Sequence, residues 1–372
     1  MFNINLIIYI IVLYTFIVPI NAYSVSYKCN NIKKICNVLD KVVGIKTPMM
    51  IASGTIINDN LIITNRHVVE DHKQFIIKFN DGKIKKAFPL AHNFPADLAL
   101  LTLNKELEVP NELFFSNKIK GLINVVAFDQ GRNSNRIYNK GKIISFSDIQ
   151  KYPQGRIHTT AKSLPGNSGG VAVDEDGNFV GILASGDGNI NEIIPIVLIN
   201  DVLKNTKDKY KNQFLKTGKF IRLCADNLDI SFNTNKNLDE KITKNIDNYC
   251  WKSNNKQLID QAGQTFGRLG DLKRSTKFLE KSIELDPMSP NSLLSLAITY
   301  HIDRKIEKER PLIKRLLKLT PENPQVLRLG VQVAGILKDK EMSSNVLNLM
   351  SVYNKDALPL AEKFIDNAFN SN

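Results

Sequence analysis

Ser168 lies in the stretch SLPGNSGG, where three glycines and a proline surround one serine within eight residues. A serine hydroxyl is a weak nucleophile near neutral pH, so it needs a base to take its proton and a third group to orient that base. Glycines allow backbone conformations that turn N–H groups toward one point, as an oxyanion site requires. The stretch therefore predicts either a flexible surface turn or a nucleophilic serine, and residues elsewhere in the chain distinguish the two.

A base and an orienting acid for Ser168 can be sought among few residues, because the chain has five histidines. His67 follows an apolar stretch in ITNRHVVED, and His158 lies ten residues before Ser168. Asp97 is followed by four apolar residues in ADLALLTL, so its surroundings are expected to be buried. A buried carboxylate without a partner is costly, which indicates that Asp97 pairs with a base. His67, Asp97 and Ser168 are therefore the candidate catalytic residues, in that order along the chain.

The composition is that of a globular chain, since 43% of its 372 residues are hydrophobic and 23% are charged. The formal net charge of +13 would suit nucleic acid or an anionic membrane if it were concentrated in one place. The lysines are instead spread along the whole chain among Asp, Glu and Asn, and no recognition-helix or base-stacking motif accompanies them. We therefore expect no nucleic-acid partner. No grouping of Cys and His has metal-ligand spacing, so we expect no metal and no cofactor.

The N-terminus has the pattern of an export signal. Leu6 to Ala22 is an uncharged apolar run that ends with a proline and a small residue. It is shorter than the ~20 apolar residues that a membrane span needs. Residues 1–5 lack the usual Lys or Arg, so an uncleaved membrane anchor is the alternative, and only then would the membrane be a partner. Either interpretation predicts an exported protein, periplasmic or secreted.

The four cysteines, Cys29, Cys36, Cys224 and Cys250, fit an exported protein and allow three disulfide pairings. Apolar residues at helical spacing predict a helix over 32–43. If that helix began at Cys29, Cys29 and Cys36 would lie roughly 10 Å apart, beyond the reach of a disulfide. Their pairing would thus require Cys29 to fold back from outside the helix. Pairing of Cys224 with Cys250 closes a longer loop, and the sequence leaves both options open.

Residues 47–200 have the pattern of short strands joined by turns. Apolar stretches flank Asn58-Asp59-Asn60, and alternating residues flank Asp81-Gly82, a strong turn pair. The stretches GKIISFSDI and GVAVDEDGNFVGILAS repeat this pattern. Many short strands with regular turns predict an all-β barrel or sandwich.

After residue 256 the periodicity becomes helical and repeats. KSIELDPMSPNSLLSLA and KRLLKLTPENPQVLRLG align at an offset of 34 residues, so that Leu285 matches Leu319. A helix–turn–helix repeat of this length resembles the tetratricopeptide repeat. Gly263 and Phe266 would occupy the small and aromatic positions of its first helix, and a third unit from about 324 is degenerate. An ordinary helical bundle is the alternative interpretation.

Three stretches together carry a resemblance to a known family: SGTIINDNLIITNRHVVED, ADLALLTL and PGNSGG. Their order resembles that of the chymotrypsin-like serine peptidases, and among these the bacterial Deg/HtrA-like branch. The resemblance covers about residues 45 to 200. It implies two six-stranded barrels, with His67 and Asp97 from the first and Ser168 from the second. Deg/HtrA-like proteins usually carry a PDZ domain after the peptidase, and no β-rich segment of suitable size follows residue 205 here.

The resemblance also implies a role for each site residue. Ser168 would attack the carbonyl carbon, His67 would act as general base and then general acid, and Asp97 would orient His67. The backbone N–H groups of Gly166 and Ser168 would form the oxyanion hole. No cofactor takes part in this chemistry.

Substrate recognition is implied at three further residues. Lys162 corresponds to the floor of the specificity pocket, and Ser185 and Gly186 would lie on the strand that pairs with the substrate backbone. A cation at Lys162 would favour an acidic substrate residue, whereas the Deg-like branch implies a small or aliphatic one. Asn167 stands where zymogen-activated trypsins carry an aspartate, so we expect no trypsin-style activation.

The fold class expected from these patterns is an all-β double barrel followed by an all-α helical-repeat domain. The expected divisions are a signal peptide at 1–22, an N-terminal helical segment at 23–45, the peptidase domain at 46–205, a Cys-containing linker or helix at 206–255, tetratricopeptide-like repeats at 256–357 and a tail at 358–372. The expected function is an exported serine endopeptidase that hydrolyses polypeptide substrates and binds a protein partner through its repeats. A non-catalytic, chaperone-like polypeptide-binding scaffold is the alternative, and an interaction module dominated by the repeats is the third hypothesis.

Overall fold

The computed structural model describes residues 29–48, 50–104, 115–116, 119–186, 188–233 and 238–370. The predicted signal peptide lies outside the described residues. From Asn31 onward the chain forms one compact unit. Within the described part, no helix combines the length and apolarity that a bilayer crossing requires.

Six antiparallel strands form the first barrel: β1 (Val42–Lys46), β2 (Ile51–Ile56), β3 (Leu61–Thr64), β4 (Phe75–Lys78), β5 (Ile84–Leu90) and β6 (Ala99–Leu103). They close in the order β1-β2-β3-β6-β5-β4. Ile45, Ile62 and Leu101 are fully buried in its interior, as expected for β-branched and aliphatic residues on an inward-facing strand side. The predicted turns join β2 to β3 and β4 to β5, where Asn58 and Asp81 accept backbone N–H groups with their side chains.

Seven strands form the second sheet: β7 (Leu122–Asp129), β8 (Ser134–Ile137), β9 (Gly141–Phe146), β10 (Ile157–Thr159), β11 (Val171–Asp174), β12 (Phe179–Gly186) and β13 (Asn191–Pro195). Their order is β11-β12-β13-β10-β9-β7-β8, and β11 also pairs with β7. That pairing closes six strands into a second barrel, while β8 extends the edge of β7. The predicted double barrel is therefore confirmed.

Short helices flank the barrels: α1 (Lys33–Asn37), α2 (Arg66–Val69) and α3 (Leu198–Lys204), with 3-10 turns at Val38–Lys41 and Asp208–Tyr210. The predicted helix over 32–43 thus ends earlier than its apolar pattern suggested. Val42 and Val43 pair with Thr55 and Gly54 of β2 instead. β-branched residues favour such a buried strand over a helix end.

The remainder of the described chain is helical: α4 (Lys211–Phe232), α5 (Glu240–Ser253), α6 (Lys256–Arg268), α7 (Leu272–Leu285), α8 (Pro290–Ile302), α9 (Ile306–Leu319), α10 (Pro324–Ile336), α11 (Lys340–Tyr353) and α12 (Leu358–Asn370), with a 3-10 turn at Lys355–Ala357. A disulfide between Cys224 and Cys250 joins α4 to α5. This is one of the pairings that the sequence left open, and Cys29 and Cys36 are disulfide-bonded as well. The predicted all-α second half is confirmed, and we call residues 211–370 the helical half.

Three helix pairs of this half repeat with a fixed period. α6, α8 and α10 begin 34 residues apart, and so do α7, α9 and α11. The residues before the first helices, Asn255, Ser289 and Asn323, each cap their helix through a side-chain oxygen. The third pair, whose sequence is degenerate, has the same helix lengths as the second.

Two predicted divisions contain more structure than the sequence suggested. The expected linker or helix at 206–255 holds two helices, the long α4 as well as α5, and the expected tail at 358–372 contains α12 over its described residues. The buried residues of α4 include Phe214, Ile221 and Leu228 at seven-residue spacing. Gly218 and Cys224 lie between them, so the buried stripe is partly made of small residues and its hydrophobic signal is weak.

Candidate active site

His67 and Asp97 form a directly bonded pair in the first barrel. His67 lies on α2, the short helix after β3, and Asp97 lies just before β6. His67 Nδ1 and Asp97 Oδ2 are 2.7 Å apart, and the backbone N–H of His67 donates to Asp97 Oδ1 at 2.9 Å. The backbone carbonyl of Asp97 accepts from Arg66 N and from Asn65 Nδ2. Backbone as well as side-chain contacts thus fix the positions of both residues.

The Asp97 carboxyl group is buried and charged. Burial by itself would raise its pKa, but the His67 contact and the nearby Arg156 guanidinium more than compensate and leave the pKa below its usual value. Arg156 is itself almost fully buried, with a guanidinium nitrogen 3.7 Å from Asp97 Oδ2. A carboxylate that accepts from Nδ1 fixes the imidazole tautomer and leaves Nε2 free to accept a proton.

The turn that carries Ser168 packs directly against the first barrel. Gly166 and Gly169 have φ angles of 90° and 89°, which L-amino acids with a side chain rarely adopt. A Cβ atom at Gly169 would lie 1.9 Å from the backbone oxygen of Ser53 on β2. Ser53 N donates to the Ser168 carbonyl at 2.8 Å, and Thr55 Oγ1 donates to the Gly169 carbonyl at 3.0 Å. The two glycines therefore permit both the turn and the close approach of the barrels.

The Ser168 side chain is half-buried, and its hydroxyl donates to the carbonyl of Ala184 on β12 at 2.9 Å. A Cβ atom at Gly169 would also meet Thr64, the last residue of β3. The turn thus lies beside the strand that leads into the helix of His67. The structure brings His67 and Asp97 into contact and sets Ser168 on an adjacent turn.

Asn167 acts as a structural brace for this turn. It is 1% exposed, and its Oδ1 accepts from the backbone N–H of Leu164 at 2.7 Å. Its Nδ2 donates to the Phe128 carbonyl and to the Tyr138 hydroxyl. A neutral amide satisfies all of these partners inside the barrel, where a carboxylate would lack a donor for the Phe128 carbonyl.

The three predicted substrate-binding residues lie near one another on the second barrel but differ in exposure. Lys162 is exposed and its ammonium group donates to the Gly188 carbonyl at 3.3 Å. Ser185 donates to Glu192 Oε2 at 2.9 Å. Gly186 faces the side chain of Asn191 so closely that a Cβ atom would lie 1.7 Å from Asn191 Oδ1. β12 pairs with β11 only as far as Ile182, so among the described strands this end pairs with β13 alone.

A buried polar cluster behind these residues was missed from the sequence. Lys256 Nζ contacts Glu192 Oε1 and lies 3.8 Å from Asp286 Oδ2. His158 Nε2 lies 3.0 Å from Asp286 Oδ2. Burial alone would raise the pKa of Glu192, but Lys256, together with His158 and Arg156, brings it below the usual value. His158, Glu192 and Asp286 have metal-ligand spacing, yet the Lys256 ammonium already supplies a positive charge between the two carboxylates.

Asn255 is the second functional candidate that sequence reasoning missed. Its Nδ2 donates to Asp97 Oδ1 at 2.8 Å. The repeat pattern carries a signal for the neighbouring Lys256, because the position after the helix cap is Pro290 or Pro324 in the later pairs but Lys256 in the first. Proline is favoured at that position, so a lysine there indicates a contact outside the helix pair.

The barrel part of the chain is similar to known proteins. Residues 52–182 match the family model described as the trypsin-like peptidase domain. The chain is 29% identical over 182 residues to the serine endoprotease DegS of Escherichia coli, covering 46% of this chain and 50% of DegS. It is 30% identical over 189 residues to the protease Do-like 13 of Arabidopsis thaliana, covering 47% of this chain and 37% of that protein.

The chain therefore spans about half the length of DegS and 37% of the length of Do-like 13. Among solved structures, the HtrA-type protease AlgW with a tripeptide aligns with a TM-score of 0.41 at 24% identity, covering 46% of this chain and 61% of that one. The double barrel, the matched family model and the Deg-type relatives lead to one assignment. This chain carries a trypsin-like peptidase domain in its barrel part, which is similar in sequence to Deg-type serine endoproteases, and a helical region follows it.

Proposed function

We propose that the chain is a serine endopeptidase that cleaves polypeptides through an acyl-enzyme on Ser168. The contact between His67 Nδ1 and Asp97 Oδ2 at 2.7 Å carries this proposal, because it orients the imidazole of a base. The turn around Ser168, with Gly166 at positive φ, supports it further. Serine endoproteases among the relatives agree with this activity.

In the proposed reaction, the Ser168 hydroxyl leaves the Ala184 carbonyl and gives its proton to Nε2 of His67 as Oγ bonds to the substrate carbonyl carbon. The negative charge on the carbonyl oxygen is met by the backbone N–H groups of Gly166 and Ser168. His67 then returns the proton to the leaving amine, and the C–N bond breaks. A water molecule hydrolyses the acyl ester by the reverse sequence of proton transfers. Asp97 stabilises the imidazolium in both halves.

Replacement of Ser168 by alanine tests this assignment. We expect hydrolysis of an unfolded protein by the purified full chain to fall at least about 10⁴-fold, because the nucleophile is lost. Circular dichroism and the melting temperature serve as controls for folding. Persistent hydrolysis in the purified variant would contradict the assignment.

The second candidate function is a non-catalytic scaffold that binds polypeptides. The contact between the Ser168 hydroxyl and the Ala184 carbonyl favours it, since a nucleophile held there is not yet aligned with His67. A fluorophosphonate probe separates the two functions. Stoichiometric labelling of Ser168 supports the peptidase, whereas retained peptide binding without labelling supports the scaffold.

For substrate choice we favour a small or aliphatic residue before the cleaved bond. Asn191 holds Ser163 and the Ala161 carbonyl with its side chain and fills the space next to Gly186. Lys162 is exposed and contacts Gly188, which argues against a buried cation that would select an acidic residue. Cleavage of a peptide library, read by mass spectrometry, should show small or aliphatic residues before the cut. Predominant cleavage after Glu or Asp would reverse this preference.

The proposed place of action is outside the cytoplasm, with the helical half binding a protein partner. All four cysteines are disulfide-bonded, and disulfides persist in oxidising compartments. The 34-residue helix pairs resemble tetratricopeptide repeats, and Ile302 and Ile336, one repeat apart, are both exposed. Fractionation of expressing cells tests the export. Capture of partners by the Ser168→Ala chain, with and without Ile302→Asp and Ile336→Asp, tests the recognition role.

A further inference from the structure

The N-terminus of α6 enters the peptidase site with two consecutive side chains. Asn255 is 3% exposed and donates from Nδ2 to Asp97 Oδ1 at 2.8 Å. Its other side-chain atom, Oδ1, accepts the backbone N–H of Leu258 and so caps α6. The same amide therefore caps the N-terminus of a helix in the helical half and contacts the carboxylate of the proposed triad. The two tasks use different atoms, so they can be separated by substitution.

The contact at Asp97 completes a set of donors around the carboxylate. Oδ1 accepts from His67 N and from Asn255 Nδ2, while Oδ2 accepts from His67 Nδ1. The Arg156 guanidinium is more distant, at 3.7 Å from Oδ2. With Asn255 absent, one lone pair of Oδ1 would face a buried space without a donor, and the carboxylate could rotate away from the line to Nδ1. The amide therefore fixes the plane in which Asp97 meets His67.

The neighbouring Lys256 reaches the opposite barrel. Its ammonium group contacts Glu192 on β13, and Glu192 accepts the hydroxyl of Ser185 through its other oxygen. Gln154 clamps this segment from both sides, since its amide donates to the Asn254 carbonyl and accepts from Lys256 N. Two adjacent residues at the N-terminus of α6 thus reach both barrels, because Asn255 contacts Asp97 directly and Lys256 is linked to Ser185 on β12 through Glu192.

Helix α4 packs against α2, the helix that carries His67. The Arg66 guanidinium donates to the Phe214 carbonyl at 2.6 Å and lies over the Phe214 ring. Arg222 forms a bidentate pair with Asp71, just beyond α2. A Cβ atom at Gly218 would lie 2.0 Å from the Glu70 carbonyl oxygen, so α4 and the end of α2 are in backbone contact.

We propose that Asn255 is a positioning residue for the Asp97–His67 pair and that the helical half thereby completes the peptidase site. The proposal rests on the triad proposed above. Asn255 acts through Asp97 and touches no substrate. Lys256 is likewise a positioning residue for Ser185, on which it acts through Glu192. The peptidase domain and the helical half accordingly form one catalytic unit.

The cap supplies a sharp test, because Asn, Asp and Ser all cap helices well. Asn255→Asp keeps the size and the capping oxygen but replaces the donor to Asp97 with a second carboxylate. Asn255→Ser keeps a capping oxygen but is too short to span the 2.8 Å contact made by Nδ2. Asn323→Asp, at the same position of the third helix pair, is the matched control, because Asn323 caps α10 through its oxygen alone.

Steady-state cleavage of a peptide substrate by the full-length variants gives the readout. We expect kcat to fall about 100-fold in Asn255→Asp and about 10-fold in Asn255→Ser, because small misplacement of a catalytic group has effects of this size. KM should change less than about twofold, since the substrate strand is not altered, and Asn323→Asp should match the wild type. A purely capping role predicts wild-type kcat in both Asn255 variants, and that result would overturn the proposal.

The Ser168→Ala chain distinguishes the failure of this proposal from the failure of the proposed function. If it still hydrolyses the peptide, the triad itself is wrong. If it is inactive while the Asn255 variants equal Asn323→Asp, only the positioning role is wrong. Melting temperatures of the three cap variants within a few degrees of the wild type exclude misfolding as the cause of a lower kcat. Should Asn255→Asp fail to fold, Asn255→Ser against Asn323→Ser decides by the same kcat and KM criteria.

Discussion

The first and third helix pairs share one design but face different surroundings. α6 and α10 are both 13 residues long and begin after an asparagine cap. The side-chain oxygen of Asn323 accepts hydrogen bonds from two backbone N–H groups of its own helix. Asn255 caps α6 in the same way, through the N–H of Leu258, and also donates to Asp97. A residue that starts a helix can therefore also hold a distant carboxylate when its remaining donor is buried against that carboxylate.

The next residue separates the two pairs further. Pro324 is the favoured residue for a first helical turn, while Lys256 is a fully buried cation held by Glu192 and Asp286. A buried charge is tolerated only when it is paired. The first helix pair therefore has a lysine that contacts the peptidase domain where proline is the favoured residue. The third pair keeps the proline.

The largest effect is expected at the carboxylate that only the first pair touches. Asp97→Asn keeps the shape of the side chain but presents an amide to both His67 and Asn255. The imidazole then loses its orientation and charge partner, and we expect kcat to fall about 10⁴-fold with little change in folding. Peptide hydrolysis and thermal unfolding of the same samples measure the two quantities. Retention of a tenth or more of wild-type kcat would show that Asp97 does not serve His67.

Removal of the buried charge should give the next largest effect. Lys256→Met leaves Glu192 and Asp286 without their cation, and we expect the free energy of unfolding to fall by about 3–5 kcal/mol. Pro324→Ala, at the matching position of the third pair, should cost less than about 1 kcal/mol. Urea unfolding measures both. Adding Glu192→Gln to Lys256→Met should restore part of the loss, and an additive further loss would contradict the pairing.

A third test compares two helical glycines. In Gly218→Ala the added methyl group meets the Glu70 backbone oxygen at 2.0 Å, so α4 must move away from α2. We expect a loss of about 2 kcal/mol in stability together with a lower kcat. In Gly330→Ala the nearest atom is a Val346 methyl group at 3.0 Å, and the net change should stay within about 1 kcal/mol with kcat unaltered. Equal kcat values in both variants would show that the position of α4 does not affect the proposed active site.

The order of the site residues and the fold class followed from local patterns. His67 follows an apolar stretch, and Ser168 lies on a turn among glycines. The barrel strands are recognisable from the alternation of apolar and polar residues. The contact between Asn255 and Asp97 joins residues 158 positions apart. It depends on how the helical half docks, which no local periodicity encodes. Helix α4 was missed for a related reason, because its buried face includes Gly218 and Cys224 as well as large apolar residues.

The last test concerns a pH dependence at the end of α2, where α4 packs. Burial raises the pKa of Glu70 to about 7, and the charges of Asp226 and Asp71 add to the shift, while Arg222 and His67 oppose it. His72 Nε2 lies 3.2 Å from the Glu70 carboxylate. The folded state then holds a proton that the unfolded state releases at the usual 4.5. Stability should therefore fall as the pH rises from about 4.5 to about 7.

Glu70→Gln removes this titration. We expect the decline in unfolding free energy over that pH window to become shallower by up to about 3 kcal/mol, as measured by denaturant unfolding at several pH values. Glu307→Gln on α9, in the second helix pair, is a control that should leave the slope unchanged. A slope identical to that of the wild type in Glu70→Gln would show that Glu70 is ionised throughout.

The most direct test of a triad completed by the helical half is the rate at which a fluorophosphonate acylates Ser168 in the full chain. We expect one equivalent of label on Ser168 in the wild type and in Asn323→Asp, at equal rates, and none at this position in Ser168→Ala. We expect labelling to be about 100-fold slower in Asn255→Asp. Equal labelling rates in Asn255→Asp and Asn323→Asp, or label on a residue other than Ser168, would contradict a triad completed by the helical half.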